Sequence, residues 1–181
     1  MSAAKSPPAR WLVKTEPETY SIDDLARERR TRWEGVRNYQ ARNLMRDSMR
    51  VGDEVIVYHS NAEPPAAVGL ARVSRPAAAD ATALERGSDH FDPKATATAP
   101  IWVCVELEFV ERFARPVPLA EIRATPGLEG LPLLQRGQRL SVQPVGEREF
   151  AILVRLGRSA GKSPPATPKK AVAGRKAAGR R

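Results

Sequence analysis

The sequence is poor in the residues that crosslink proteins or hold them in membranes. It contains one cysteine in 181 residues, Cys104, so an internal disulfide cannot form. Its apolar runs are all far shorter than the roughly 18 residues that a membrane-spanning helix needs. The N-terminal residues 1–17, MSAAKSPPARWLVKTEP, also lack the continuous apolar stretch of a secretory signal. These absences predict a soluble protein of a reducing compartment.

Residues and motifs that carry common catalytic chemistry are equally scarce. The two histidines, His59 and His90, do not combine with Cys104 or with carboxylates at metal-ligand spacing. The glycine-rich motifs of nucleotide-cofactor sites and the serine elbow of hydrolases are missing. Cys104 lies in an alternating segment that predicts a small buried group rather than an exposed nucleophile. We therefore expect no metal, no cofactor and no catalytic residue.

The basic charge of the chain is concentrated at its C-terminus. The net charge is +9, but residues 158–181 carry eight basic residues and no acidic one, which leaves 22 basic and 21 acidic residues in residues 1–157. This tail and residues 1–9 have too little apolar surface to offset the entropy of ordering them, so both are predicted to be disordered around a domain at 10–157. The tail is expected to bind phosphate non-specifically through Lys169, Lys170, Arg175, Lys176, Arg180 and Arg181.

Between the tails, the hydrophobic pattern predicts more strand than helix. Strands are expected at residues 11–13, 54–60, 66–73, 101–113 and 139–142. Ser21, with Asp24 three residues later, has the pattern of a capping box and predicts a helix that begins at Ser21. Further helices are predicted at residues 39–47 and around residues 150–154, the last ended by Gly157. Five or so strands with short helices indicate an α+β fold built on a small, partly open β-barrel.

The segment WEGVRNYQARN, residues 33–43, has an unusual composition. Trp33 and Tyr39 are large aromatics in a stretch that is otherwise polar and basic, and residues 27–50 carry eight arginines against three acidic residues. Flat rings beside amide and guanidinium donors are what recognition of an unstacked base needs. The alternative is that Trp33 and Tyr39 anchor the core and the arginines form a solvated helix face. The residues alone leave both interpretations open.

Six segments together resemble the EVE domain family. They are WLVKTEP at residues 11–17, SIDDL at 21–25, WEGVRNYQARN at 33–43, VGDEVIVYHSN at 51–61, HFDP at 90–93 and LPLLQRGQRLSVQP at 131–144. The resemblance covers residues 11–156 and implies a PUA-like fold, a partly open β-barrel of five to six strands with short flanking helices. It also implies a pocket for a nucleobase, with modified cytosine in DNA as the usual ligand class. The basic tail departs from the family pattern.

The resemblance implies a base-binding pocket lined by the 33–43 segment, by YHSN at residues 58–61 and by the end of the first predicted strand. Its expected residues are Lys14, Glu16, Trp33, Val36, Arg37, Asn38, Tyr39, Arg42, Asn43, Tyr58, His59, Ser60, Asn61 and Ser141. From their chemistry, Trp33 and Tyr58 would supply aromatic walls. Arg37 and Arg42 would hold flanking phosphates.

Polar groups of the same pocket would contact the base edges. We expect this role for Asn38, Ser60 and the backbone around Val36.

Strand alternation places Tyr58 and His59 on opposite faces, so both can point into one cavity only if the strand twists or bulges. His59 therefore has a second interpretation, a hydrogen-bonded structural imidazole. In HFDP, a loop-fixing role for residues 92–93 is expected.

Three functions follow from these features. The first is a non-catalytic protein that recognises a modified base, such as methylated cytosine, or a flipped base in DNA, with help from the tail. The second is an RNA-binding or RNA-modification factor of the same fold, with Glu16 or Asp92 as acid or base. The third is a nucleoid-packing protein in which the tail does all the binding. We expect a monomer without membrane contact, in the bacterial cytoplasm at the nucleoid or in a eukaryotic nucleus.

Overall fold

Six strands and four short α-helices make up the part of the chain that the structure describes. The computed structural model describes residues 7–160. The strands are β1 Arg10–Thr15, β2 Arg30–Arg32, β3 Glu54–His59, β4 Ala66–Ala79, β5 Val103–Pro118 and β6 Val142–Pro144. The α-helices are α1 Ile22–Glu28, α2 Tyr39–Asn43, α3 Leu119–Ala124 and α4 Glu147–Arg158. A π-helical turn, Leu44–Ser48, continues α2, and short 3-10 turns lie at Ala81–Ala83 and Pro132–Leu134.

The strands form one mixed sheet in the order β2-β5-β4-β3-β1-β6. β1 runs parallel to β3, with Leu12 opposite Ile56, whereas the other described pairs are antiparallel. The long β4–β5 ladder contains register shifts, such as that between Leu70 and Ala71, which bend strands and increase twist. Within residues 7–160, β2 and β6 do not pair with each other, so the sheet does not close. The predicted α+β, PUA-like partly open barrel is confirmed.

Two apolar cores lie on opposite faces of this sheet. Successive side chains of a strand point to opposite faces, so Val13 and Val57 enter the first core while Leu12 and Ile56 enter the second. The first core also contains side chains of α1, α2 and the π-helical turn, and the second contains those of α3 and α4. Trp33 belongs to the first core. This packing fixes the segment after β2 against the sheet.

The ends of two helices test the capping predictions. The Ser21 hydroxyl accepts a hydrogen bond from the Asp24 amide, and the Asp24 carboxylate accepts one from the Ser21 amide. The predicted capping box of α1 is therefore confirmed. α4 continues through Gly157, and its C-cap is Ser159, so the predicted end at Gly157 is wrong. Gly157 serves close packing instead, because a Cβ there would overlap the ring of Phe113.

The structure extends beyond both ends of the predicted folded domain. The amide of Ala9, expected in a disordered N-terminus, donates to the Asp53 carboxylate at 2.9 Å, and its carbonyl accepts from the Glu54 amide. Arg158, expected in the tail, is the last residue of α4 and forms an ion pair with Glu111. The small apolar surface of these residues did not predict their place in the fold, because backbone hydrogen bonds and an ion pair hold them. The six tail cations expected to bind phosphate lie outside the described residues.

Several elements differ from their predicted limits. β4 and β5 run past the predicted residues 66–73 and 101–113 because they keep pairing with each other where the apolar alternation fades. The strand expected at residues 139–142 begins only at Val142, and the helix expected at 39–47 is π-helical after Asn43. No helix of the described part of the chain is long and apolar enough to cross a membrane.

Candidate functional site

A cleft opens where the end of β1 faces the segment that follows β2. We call it the β1 cleft. Its volume is about 430 Å³, within the range of roughly 300 to 1,000 Å³ common for small-molecule sites. It is lined by Lys14, Thr15, Thr19, Tyr20, Thr31, Arg32, Trp33, Glu34, Gly35, Val36, Arg37, Thr82, His90 and Ser141, and an adjoining lobe adds Glu16, Ser60 and Arg139. Half of the fourteen expected pocket residues thus line the cleft or its lobe.

The Arg37 guanidinium holds the cleft wall together. It donates to the Asp80 carboxylate at 2.7 Å, to the Thr82 hydroxyl at 3.0 Å and to the His90 carbonyl at 2.7 Å. The Asp80 side chain is fully buried and also accepts from the Gly35 amide at 2.9 Å. These bonds tie the segment after β2 to the loop after β4. Because Asp80 neutralises its charge, Arg37 has a structural role here rather than the expected phosphate contact.

Asp80 stays ionised in spite of its burial. Burial alone would raise the pKa of Asp80, but the hydrogen bonds from Arg37, Thr82 and Gly35 outweigh it and hold the pKa below its ordinary value. The ionised carboxylate therefore stabilises the cleft wall above the ordinary pKa of an aspartate, about 3.9. That stabilisation is lost as the pH falls through the lower pKa of the folded state.

Gly35 allows the His90 ring to pack against the backbone of the cleft. Gly35 has a φ of 79°, a conformation that side chains disfavour, and a Cβ there would lie 2.6 Å from Nε2 of His90. His90 itself is exposed and lines the cleft. Asp92 fixes the same loop as expected, because it accepts from the Trp102 indole N–H at 2.7 Å and from the Lys94 amide at 2.9 Å.

Tyr20 and Trp33 form the aromatic part of the cleft. Their rings meet edge to face, with centroids 6.5 Å apart and an interplanar angle of 87°. Trp33 is only 7% exposed, belongs to the first core and also lines the cleft. It therefore fits parts of both interpretations that the sequence left open. The Tyr20 hydroxyl donates to Glu28 at 2.8 Å. Burial raises the pKa of Tyr20 to about 12, so this hydroxyl stays protonated.

Unpaired charges of both signs line the cleft. Within residues 7–160, the side chains of Lys14, Arg32 and Arg139 make no hydrogen bond or ion pair, and neither does the Glu34 carboxylate; all four line the cleft or its lobe. Burial lowers the pKa of Lys14, because desolvation disfavours the ammonium form. Burial also raises the pKa of Glu34, and the nearby Asp80 adds to this effect. The cleft therefore offers unpaired cationic donors and one unpaired carboxylate to a ligand.

The lobe of the cleft contains other expected residues, held by local hydrogen bonds. The Ser60 amide and hydroxyl donate to the Thr15 carbonyl at 2.8 and 3.3 Å. Asn61 borders the lobe and donates to the Glu16 carboxylate at 2.7 Å. The Ser141 carbonyl accepts from the backbone of β1. These bonds join the ends of β1, β3 and β6 around one opening.

Tyr58 and His59 do not line the cleft. Tyr58 enters the second core and is 3% exposed, so it cannot form the aromatic wall that we expected. His59 faces α1, where its Nε2 accepts a hydrogen bond from the Ile22 amide at 3.1 Å. Burial lowers the pKa of His59 and so favours the neutral imidazole that this bond requires. The structure thus agrees with the second interpretation of His59, a structural imidazole.

The remaining expected residues lie on a separate surface around Trp102. The Tyr39 ring stacks on Trp102 with centroids 4.8 Å apart, and the Arg42 guanidinium lies 4.8 Å from the Tyr39 centroid. Arg42 also donates to the side-chain oxygen of Asn43. The Asn38 side chain caps α2 by accepting a backbone N–H. We call Tyr39, Arg42 and Trp102 the Trp102 stack.

Sequence reasoning missed Tyr20, Asp80 and Thr82. Tyr20 directly precedes the cap of α1, where a hydrophobic staple often packs, and that position could have marked it. Asp80 and Thr82 carry no comparable signal, because Asp and Thr are common in any turn. Their partner Arg37 lies 43 residues from Asp80, so only the fold brings them together.

The described residues show neither a metal cluster nor an activated thiol. Among residues 7–160, no group of three or more His, Cys, Asp or Glu side chains could hold a metal ion. Cys104 is buried, with its Sγ 4.0 Å from the Ala79 carbonyl. Burial raises the pKa of Cys104 to about 11, so the thiol stays protonated, as expected for a small buried group.

Known proteins resemble this chain along most of its length. Residues 9–156 match the EVE domain family model. The chain is 39% identical to human Thymocyte nuclear protein 1 over 165 residues, which cover 81% of this chain and 72% of that protein. The crystal structure of human THYN1 protein in complex with 5-methylcytosine containing DNA aligns with a TM-score of 0.78 at 37% identity, over 84% of this chain and 99% of that one. A crystal structure from Pseudomonas putida aligns with a TM-score of 0.79 at 46% identity, over 82% and 99%. The chain belongs to the EVE domain family.

Proposed function

We propose that this protein binds nucleic acid without catalysis and takes one cytosine base, preferably with a C5 methyl group, into the β1 cleft. The observation that carries the proposal is the composition of this cleft, in which aromatic rings, unpaired cations and an unpaired carboxylate surround a space of about 430 Å³. The human relative in complex with 5-methylcytosine containing DNA supports the same ligand class. DNA is the proposed partner.

The polar groups of the cleft suit the edge of a cytosine. Cytosine carries an amino donor at N4 and acceptors at N3 and O2, and carboxylates commonly accept from N4. Glu34 supplies such an acceptor, while the Lys14 ammonium and the Ser141 hydroxyl supply donors. Thymine or uracil would face Glu34 with a carbonyl oxygen, and the unmatched polar groups would cost binding free energy. The cleft is therefore expected to favour cytosine over thymine.

The C5 methyl group is expected to contribute less binding free energy than the hydrogen bonds to the cytosine edge. Burying one methyl group stabilises a complex by about 0.8 kcal/mol, which is roughly fourfold in affinity. The rings of Tyr20 and Trp33, which line the cleft, offer the apolar contact that this burial needs. We expect methylcytosine to bind about fourfold more tightly than cytosine.

Arg32 and Arg139 take the place of the neutralised Arg37 as the proposed phosphate contacts at the cleft. Both are exposed at the cleft and unpaired within the described residues. Each phosphate contact changes the slope of log K against log salt by about one. The tail cations outside the described residues would add to this slope without selecting a base.

The contacts of two carboxylates support a binding role over the enzymatic alternative. Asp92 does not line the cleft, and the hydrogen bond from the Trp102 indole lowers its pKa. Glu16 accepts a hydrogen bond from Asn61. Both expected acid–base groups thus hold loops in place. Incubation of the full chain with methylated DNA or RNA is expected to leave the nucleosides unchanged by mass spectrometry.

Two lysine variants of the full chain test the cleft assignment. Lys14→Met and Lys94→Met remove the same charge, but Lys14 lines the cleft whereas Lys94 is exposed in the loop after β4. Fluorescence anisotropy with two duplexes that differ in one C5 methyl group gives the affinities. Lys14→Met is expected to weaken binding to both duplexes about tenfold or more, since it loses a charged hydrogen bond. Equal effects of the two variants would refute the assignment.

Trp33→Ala is unsuitable as a test of the cleft, because losing a core tryptophan costs about 3 to 5 kcal/mol of stability.

A third variant separates the cleft from the tail. It replaces Lys169, Lys170, Arg175, Lys176, Arg180 and Arg181 by glutamine in the full chain. We expect weaker, less salt-dependent binding with the methyl preference intact. Loss of all binding would favour the packing protein in which the tail alone binds. The same oligonucleotide sequence made as RNA tests the choice of partner, and tighter binding to the RNA would favour an RNA-binding factor.

A further inference from the structure

The exposed ring of Tyr39 lies outside the β1 cleft on a rigid support. Tyr39 is 56% exposed, more than any other large apolar side chain in residues 7–160. It stacks at 4.8 Å and 33° on Trp102, which is only 5% exposed. The indole is fixed in turn by its hydrogen bond to Asp92. A buried ring thus holds an exposed ring in place, and this arrangement is a preformed stacking surface.

A positive charge without an ion-pair partner in the described residues lies beside this surface. The Arg42 guanidinium is 4.8 Å from the Tyr39 centroid and 5.9 Å from the Trp102 centroid. Its hydrogen bonds go to the side-chain oxygen of Asn43 and to the Ile101 carbonyl. Both acceptors are neutral, and no carboxylate pairs with Arg42 within the described residues. A flat aromatic face beside a free cation is the chemistry that binds single-stranded nucleic acid.

The Trp102 stack is connected to the β1 cleft through Arg37. The Arg37 guanidinium lies 5.5 Å from the Trp102 centroid. The same group donates to the carbonyl of His90, which lines the cleft. The Arg37 guanidinium therefore contacts both the cleft wall and the stack, which places the two sites next to each other.

We propose that the Trp102 stack is a second stacking site, which holds an unpaired base of the strand whose neighbouring base occupies the β1 cleft. The inference rests on the proposed function in taking nucleic acid as the ligand and in placing the neighbouring base in the β1 cleft, but stacking on Tyr39 does not depend on a methyl preference. Any base suits the site, because every base has a π-face. A nucleic-acid strand fits better than an apolar protein segment, since a phosphate offsets the charge of Arg42 whereas an apolar partner would desolvate it.

Substitutions of the exposed Tyr39 test this site in the full chain. The variants are Tyr39→Ala, Tyr39→Leu and Tyr39→Phe, with Val51→Ala as a control at another exposed apolar residue, 50% exposed. Thermal unfolding checks that each variant folds. The probe is a single-stranded DNA with one methylcytosine or one cytosine, measured by fluorescence anisotropy. We expect Tyr39→Ala and Tyr39→Leu to weaken binding about fivefold or more for both DNAs. Tyr39→Phe and Val51→Ala are expected to bind like the unmodified chain.

A fluorescent base reports the stacking directly. The base 2-aminopurine, placed next to the methylcytosine, is expected to be quenched by the unmodified chain and less quenched by Tyr39→Ala. Unchanged affinity of Tyr39→Ala overturns the proposal, and so does full binding by Tyr39→Leu, because apolar contact would then suffice. A selective loss of methyl preference also overturns it, since Tyr39 would then contact the base in the cleft. If the unmodified chain shows no methyl preference but Tyr39→Ala still loses affinity, the proposed function fails and the second site stands.

Discussion

The substitution Gly35→Ala measures how tightly the wall of the β1 cleft is built. Gly35 has a φ of 79°, and a Cβ there would lie 2.6 Å from Nε2 of His90. Its amide is fixed by the buried Asp80 carboxylate, so the backbone cannot easily move away. The positive φ costs alanine about 1 to 2 kcal/mol. Displacing the exposed His90 ring adds about 1 kcal/mol, the low end for overpacking, because the ring can move towards solvent. We expect Gly35→Ala to lower the free energy of unfolding by about 2 to 3 kcal/mol.

Gly52→Ala is the matched control for this prediction. Gly52 has a φ of 96°, but no atom lies within 4 Å of an added Cβ, so only the backbone cost of about 1 to 2 kcal/mol is expected. Chemical denaturation gives both values. Adding His90→Ala to Gly35→Ala removes the overlapping ring and should recover the excess loss. Equal losses in the two glycine variants, or no recovery in the double variant, would refute the reasoning.

Three further predictions concern stability. Asp80→Asn should lower the free energy of unfolding by on the order of 3 kcal/mol at pH 7, because Arg37 loses an ionised buried partner. In urea denaturation this loss should shrink as the pH falls below about 3.9, where Asp80 of the unfolded chain becomes protonated, and should vanish below the lowered pKa of the folded state. His59→Ala should flatten the pH dependence of stability below about pH 6.5, because the lowered pKa of His59 makes its contribution complete above that pH and lost as the pH falls. Gly157→Ala should lower the unfolding temperature, since overlap with Phe113 costs about 1 to 3 kcal/mol and exceeds a helix-propensity gain of about 1 kcal/mol.

Each of these predictions has a result that contradicts it. A constant difference between Asp80→Asn and the unmodified chain from pH 7 to pH 3 would mean that Asp80 does not titrate with the cleft wall. Parallel stability curves for His59→Ala and the unmodified chain would exclude a neutral buried imidazole. A more stable Gly157→Ala variant would show that Phe113 moves aside freely.

Local patterns in the sequence predicted the fold and one helix start. The cap of α1 depends only on Ser21 and Asp24, three residues apart, so the sequence contains all of it. Alternation along β3 likewise separated Tyr58 from His59, because strand geometry alone sets the faces. Helix ends that depend on tertiary packing were harder to predict from the sequence. Gly157 looked like a cap, yet the ring of Phe113 explains its presence inside α4.

Contacts between residues far apart in the sequence decide which of the other site residues are free to bind a ligand. Arg37 and Arg42 have the same chemistry in the sequence, but Arg37 is neutralised by Asp80 and Arg42 is not. Tyr39 belongs to the same motif as Trp33, yet it stacks on Trp102, far along the chain. Residue types therefore left the role of this motif open, and the fold decides which side chains remain free to contact a ligand.

Photo-crosslinking with 5-iodocytosine tests the location of the base most directly. The iodine takes the place of the C5 methyl group, and irradiation joins that carbon to a nearby side chain, which mass spectrometry identifies. With the full chain and a single 5-iodocytosine in the DNA, we expect crosslinks to Tyr20 or Trp33 that methylcytosine DNA competes away. Crosslinks found only in residues 158–181 would contradict binding in the β1 cleft.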